Sequence, residues 1–211
     1  MFIKICGIKS KEELKVVEKY ANATGVIVKS ESKRQIPLEK AKELMEIANI
    51  PVYAVSTVNT YDEWKEIIEK TGTKYIQIHS KMDVDEIVKL KNNYNINIIK
   101  AFKVPSLSSN PEKDAENLIN EIKKYINIVD NILLDTGKGC GITHDLRVSK
   151  IIAKNIDIIL AGGLNPENVK EIVEYVQPYG VDLSSGVEKD NKKDESLIKS
   201  FVKNLNEVYI I

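Results

Sequence analysis

No apolar stretch in this chain reaches the roughly 18 residues that a membrane-spanning helix needs, so a transmembrane span is not expected. Charge of one sign is missing too. Lys plus Arg is 31 and Asp plus Glu is 31, so the formal net charge is zero. That balance gives no electrostatic footprint for a dedicated nucleic-acid binder. Cysteine is scarce, with only Cys6 and Cys140, far apart, and two such residues make no disulfide scaffold. Only two His are present and no clustered Cys/His spacing occurs, which argues against a structural zinc site. Pro- or Gly-rich linkers and low-complexity tracts are absent as well. The start, Met1–Ser10, carries a Lys inside its apolar part and no cleavage-like region, so it reads as mature protein. Together these features lead to the expectation of a cytoplasmic protein with free thiols and a single domain over 1–211.

Apolar residues make up 43% of the 211, enough for a sizeable core. They gather in eight short β-branched runs, at 2–5, 24–28, 51–57, 74–78, 97–102, 130–134, 157–160 and 180–183. Several of these runs, such as Val26-Ile27-Val28 and Ile158-Ile159-Leu160, do not alternate with polar residues. Continuous apolar runs suit parallel strands covered on both faces. Helical patterns lie between the runs. In Asn165–Gln177 the residues Val169, Ile172, Val173 and Val176 fall at i, i+3, i+4, i+7, and Leu197, Phe201 and Leu205 form a similar stripe. Asn165-Pro166 and Asn110-Pro111 each read as an N-cap followed by Pro at the first helical position. Eight strand-then-helix units predict an α/β fold, a (β/α)8 TIM barrel with a closed, parallel, eight-stranded sheet. A doubly wound open sheet is the alternative. Against it, Gly7 opens no G-x-G-x-x-G fingerprint.

In such a barrel, functional residues collect at the C-terminal ends of the strands. Cys6 ends the first run and Asp135 the sixth. On one barrel, a potential thiolate base and a carboxyl acid would therefore meet at the mouth. That pairing implies proton transfer without a metal or cofactor. Gly162-Gly163 follows run seven, and Ser184-Ser185-Gly186 follows run eight. Loops at these two positions form the usual phosphate site of the fold, because glycines let backbone N–H groups approach an anion. Gly139-Cys140-Gly141, after run six, is placed to close over the same anion. Each Gly pair taken alone reads equally as a tight turn.

With these residues in place, the chain resembles the phosphoribosylanthranilate isomerases of tryptophan biosynthesis. The matching segments are Lys4-Ile5-Cys6-Gly7-Ile8, Ser32-Lys33-Arg34, Val58-Asn59, Gln77-Ile78-His79, Leu133-Leu134-Asp135-Thr136, 161–169 and 180–188, in the expected order. The last two are long and specific. The resemblance implies a (β/α)8 barrel, no cofactor and an Amadori rearrangement. It converts N-(5-phosphoribosyl)anthranilate to 1-(2-carboxyphenylamino)-1-deoxyribulose 5-phosphate. By resemblance the general base falls on Cys6 and the general acid on Asp135. The residue near the anthranilate carboxylate falls on Arg34, and the phosphate contacts fall on Gly141, Gly162, Gly163, Ser184, Ser185 and Gly186. The expected partner is a small phosphosugar, with no nucleic acid and no membrane; monomer and homodimer both fit.

The chain departs from the family after run six. The family usually reads Gly-x-Gly-Lys-x-Phe-Asp-Trp, whereas this chain carries Ile142, His144 and Leu146 at the Lys and the two aromatic positions. A Phe common after run three is Thr57 here.

Each candidate has a plainer alternative. Cys6 reads also as a small buried hydrophobe, and Asp135 as a loop cap or an ion-pair partner. Asp135 suits an acid role if burial or the substrate's negative groups hold its proton. Cys6 suits a base role if nearby cations, Lys4 among them, favour the thiolate. Asp182 is expected to face inward, toward the substrate's nitrogen or sugar, or simply to fix strands one and eight. Arg34 can grip a carboxylate with two N–H groups or sit solvated in its loop. His79 lines the pocket or is structural. Lys192-Lys193 reads as a solvated helix start. A different phosphosugar enzyme of the same barrel, such as indole-glycerol phosphate synthase or a ribulose-phosphate epimerase, is a competing reading. A non-catalytic phosphate sensor is another.

Overall fold

In a computed structural model, which describes residues 1–136 and 143–209, the eight apolar runs become eight parallel strands. These are β1 (Phe2–Cys6), β2 (Ala23–Ile27), β3 (Val52–Ser56), β4 (Tyr75–Ile78), β5 (Asn97–Lys103), β6 (Asn131–Asp135), β7 (Ile158–Ala161) and β8 (Gly180–Leu183). Each pairs with the next, and β1 pairs with β8 to close the barrel, so the open-sheet alternative is set aside. The helices between them are α1 (Lys11–Val17), α2 (Leu38–Ile47), α3 (Tyr61–Thr71), α4 (Val84–Asn93), α5 (Pro111–Ile122), α6 (Leu146–Ala153), α7 (Val169–Val176) and α8 (Glu195–Asn206). None is long and apolar enough to cross a membrane.

The strand period of two sorts side chains into two cores. Outward residues such as Ile3, Ile5, Val26, Ile76, Ile98 and Leu134 join Trp64, Ile67, Leu90, Ile122 and Phe201 from the helices in one large buried cluster. Inward residues Cys6, Ala23, Tyr53, Val55, Ile99, Leu133, Ile159 and Ala161 fill the barrel itself. Both faces of every strand are covered, which is why the runs need no polar alternation. The Val169, Ile172, Val173, Val176 stripe of α7 is buried as its spacing predicts.

Two local expectations are refined. Asn110 caps α5, its side chain accepting from the Lys113 N–H with Pro111 at the first position. Asn165 does not cap α7 in this way. Its side chain accepts from the N–H groups of Glu167 and Asn168, building a turn, and the helix begins only at Val169. An Asn-Pro step also suits a turn, so the same dipeptide has two outcomes.

Between β8 and α8 lies a feature the sequence pattern did not reveal. A short 3-10 turn, Ser185–Val187, leads into a two-stranded antiparallel hairpin, β9 (Glu188–Lys189) and β10 (Lys192–Lys193). Its two turn residues, Asp190 and Asn191, have φ of 51° and 57°. Paired left-handed residues of this kind make the tight turns that suit hairpins.

Candidate active site

At the C-terminal mouth of the barrel a cavity of about 700 Å³ opens. Cys6, Arg34, His79, Asp135, Gly162, Gly163, Asp182, Ser184 and Ser185 all line it. Nine of the eleven site residues expected from the sequence are thus brought together from β1, β4, β6, β7, β8 and the loop after β2. Gly141 lies outside the described residues, as do Cys140 and Ile142. Gly186 is not part of the lining. A Cβ there would fall 1.9 Å from the Leu164 carbonyl oxygen, so this glycine lets the β8 loop pack against the β7 loop.

Alternation along β1 puts Lys4 and Cys6 on the same inner face, two residues apart. Lys4 sits directly beside Asp182 in the β1–β8 register. Its Nζ donates to Asp182 Oδ2 at 2.9 Å, with the side chains 0% and 6% exposed. Asp182 lines the cavity, and its Oδ1 is buried with no partner among the described residues. Asp182 therefore ties β8 to β1, the plainer of its two expected roles, while lining the cavity.

Cys6 is buried, and burial pushes its thiol above the ordinary range. Lys4 and Lys193 pull the other way, and Asp182 adds to the rise. The expectation that Lys4 favours the thiolate holds for the direction of its own effect, but desolvation outweighs it. For Lys4, burial acts downward, yet the charges of Asp182 and Cys6 leave it raised. His79, on the inner face after β4, is held near pKa 4 chiefly by burial, with Lys4 and Lys100 adding to that; it is neutral at physiological pH. Gln77, one alternation earlier, is buried in the lining with its Oε1 unpartnered among the described residues. The sequence reading used Gln77 only as a motif letter.

The edge of the cavity formed by the β7 loop is glycine-built. Gly162 and Gly163 have φ of 91° and 68°. A Cβ on Gly162 would meet Thr136 Oγ1 at 2.3 Å and Asp135 Oδ1 at 2.9 Å, so the end of β6 and the β7 loop touch without room for a side chain. Left-handed backbone of this kind turns N–H groups toward a common anion. Next to it, Ser184 Oγ donates to the Cys6 carbonyl at 2.9 Å, fixing the β8 loop to the end of β1.

Arg34 is not solvated. It is 6% exposed, and Nε and Nη2 each donate to Glu188 at 2.7 Å. Gly7, with φ 83°, makes room for it: a Cβ there would lie 2.7 Å from Arg34 Cδ. Lys193 overturns its expected role as a solvated helix start. Its side chain is buried, and Nζ donates to Glu188 at 2.8 Å, to the Ser184 carbonyl at 3.0 Å and to Ser184 Oγ at 3.1 Å. The helix starts later, at Glu195, capped by Asp194.

Comparison with known proteins agrees with this geometry. Residues 3–204 match the family described as N-(5'phosphoribosyl)anthranilate (PRA) isomerase. The N-(5'-phosphoribosyl)anthranilate isomerase of Methanococcus aeolicus is 79% identical over 205 residues, 97% of this chain and 98% of that one. The structure of the Pyrococcus furiosus enzyme superposes with a TM-score of 0.92 at 52% identity, covering 99% of this chain and 100% of that one. A second structure, a phosphoribosyl anthranilate isomerase in complex with reduced 1-(o-carboxyphenylamino)-1-deoxyribulose 5-phosphate, aligns with a TM-score of 0.80 at 30% identity, covering 98% of this chain and 99% of that one. The chain belongs to the N-(5'-phosphoribosyl)anthranilate isomerase family.

Proposed function

We propose that the cavity carries out an Amadori rearrangement in tryptophan biosynthesis, in the cytoplasm, with Asp135 as general acid and Cys6 as general base. The substrate is N-(5-phosphoribosyl)anthranilate and the product 1-(2-carboxyphenylamino)-1-deoxyribulose 5-phosphate. One observation carries the assignment of roles. Cys6 and Asp135, on β1 and β6, line the same cavity as the glycine-built β7 loop, the Ser184–Ser185 loop and Arg34.

The phosphate would sit on the Gly162–Gly163 and Ser184–Ser185 loops, and the anthranilate carboxylate near Arg34. That places the ribose between the acid and the base. Asp135 gives its proton to the ring oxygen as the C1–O bond breaks, and the nitrogen lone pair forms the iminium. Cys6, as thiolate, removes the proton from C2, and those electrons neutralise the iminium to give the enolamine. Tautomerisation yields the ketone. The iminium forms beside a thiol that burial holds high. Its positive charge favours the thiolate at the moment the base is needed and acidifies the C2–H bond. Asp182 lines the cavity, and its buried Oδ1, unpartnered among the described residues, leaves acceptor capacity for a substrate that reaches it.

The test is turnover. Freshly prepared phosphoribosylanthranilate mixed with the purified chain should lose its anthranilate-type fluorescence at a rate proportional to protein. No loss above the spontaneous rate would contradict the assignment.

A further inference from the structure

Arg34, the candidate for gripping the substrate's aromatic carboxylate, belongs to a buried ion cluster whose other members lie outside the cavity lining. Glu188 takes both Nε and Nη2 of Arg34, one on each carboxylate oxygen. A two-point contact of this kind fixes the guanidinium plane as well as its position. Arg34 and Glu188 side chains are each 7% exposed. Nη1 donates to no described residue, and the Arg34 side chain lines the cavity. Glu188 therefore occupies one edge of the fork and leaves another for an incoming carboxylate.

Glu188 is itself held. Lys193 Nζ donates to the same Glu188 oxygen that accepts Arg34 Nε. Lys193 also grips Ser184, whose hydroxyl donates to the Cys6 carbonyl. The turn of the same hairpin reaches the loop after β2, since Lys33 Nζ donates to Asn191 Oδ1 at 2.8 Å. Glu13 anchors the base of the hairpin by accepting the Lys193 N–H at 3.0 Å. Arg34 is thus aimed by the β9–β10 hairpin, and that hairpin is bonded to the strand ends that carry the base.

We propose that Glu188 and Lys193 are positioning residues that aim Arg34 at the substrate carboxylate and so set selectivity for a carboxylated aryl amine. This rests on the reaction proposed above. Neither residue touches substrate; both act through Arg34. Losing a charge-assisted bond that orients Arg34 should weaken carboxylate binding by about tenfold or more.

The experiment compares two substrates, N-(5-phosphoribosyl)anthranilate and its aniline counterpart, which lacks the carboxylate. Glu188→Gln should raise KM for the first about tenfold with little change in kcat, and leave kcat/KM for the second nearly as it was. Glu188→Asp, which keeps the charge, should restore part of the preference. In an Arg34→Met background, Glu188→Gln should have no further effect on the ratio between substrates, since the two act as one unit. If Glu188→Gln fails to fold, Glu188→Asp alone is read, with a smaller loss expected on the carboxylated substrate only. Equal losses on both substrates, or an unchanged preference, would overturn the proposal while leaving the reaction intact. Absence of turnover by the wild-type chain would remove the reaction and this inference together.

Discussion

Cys6 and Asp135 were legible because each ends an apolar run, and the fold places strand ends at the mouth. The partners that tune the site were not. Arg34 meets Glu188 across 154 positions in sequence, and Lys4 meets Asp182 across 178. No local pattern encodes such a contact; only barrel closure creates it. Lys193 was misread for the same reason. Beside Lys192 and ahead of Asp194 it looks like a solvated charge, but the hairpin turns it inward. At this scale pH gives a sharp test. A Cys6 base has to work as thiolate, and burial raises its thiol. The rate constant kcat/KM of the free enzyme should therefore climb as pH rises through and beyond the ordinary thiol value of about 8.5. The limb should vanish in Cys6→Ser. A profile that is flat from neutrality upward in the wild type would argue against a thiol base.

Among the elements, strands were the easiest to read, since runs covered on both faces leave an unbroken apolar signal. The hairpin β9–β10 was hidden because its strands are two residues each and strongly charged, so periodicity has nothing to act on. Its Asp190-Asn191 turn was the available cue. By the resemblance, the segment after β6 carries most of the chain's departures from the family pattern. His144 stands at a position where the family carries an aromatic, and it is 3% exposed. Its Nε2 lies 2.5 Å from Ser149 Oγ at the start of α6, and Nδ1 has no partner among the described residues. Burial brings its pKa from 6.5 to about 4. The sign follows. The folded value lies below the unfolded one, so the unfolded chain takes the proton first as pH falls, and stability drains away between about pH 6.5 and 4. Replacing His144 with Phe removes this source of acid lability. Relative to its own value at pH 7, the variant should lose about 2 kcal/mol less stability at pH 5 than the wild type. Urea melts at the two pH values measure this. Parallel losses in both proteins would show that His144 is not the group that titrates.

Taken whole, the barrel acts as a device for convergence. Strands distant in sequence deliver their residues to a single cavity, and closure by the β1–β8 pair brings Lys4, Cys6, Asp182 and Ser184 side by side. The glycines work at this scale too. Gly7, Gly162 and Gly186 let Arg34, the β6 end and the β7 loop approach so closely that a methyl group would collide. The central claim is that the acid on β6 and the base on β1 share one substrate across this cavity. Its most direct test is to measure phosphoribosylanthranilate turnover by fluorescence for the wild type, Cys6→Ser and Asp135→Asn side by side, with folding checked by circular dichroism. Each folded variant should lose at least about 100-fold in kcat, the scale of general acid–base catalysis. A folded variant of either kind that turns over at nearly the wild-type rate would contradict the role assigned to that residue.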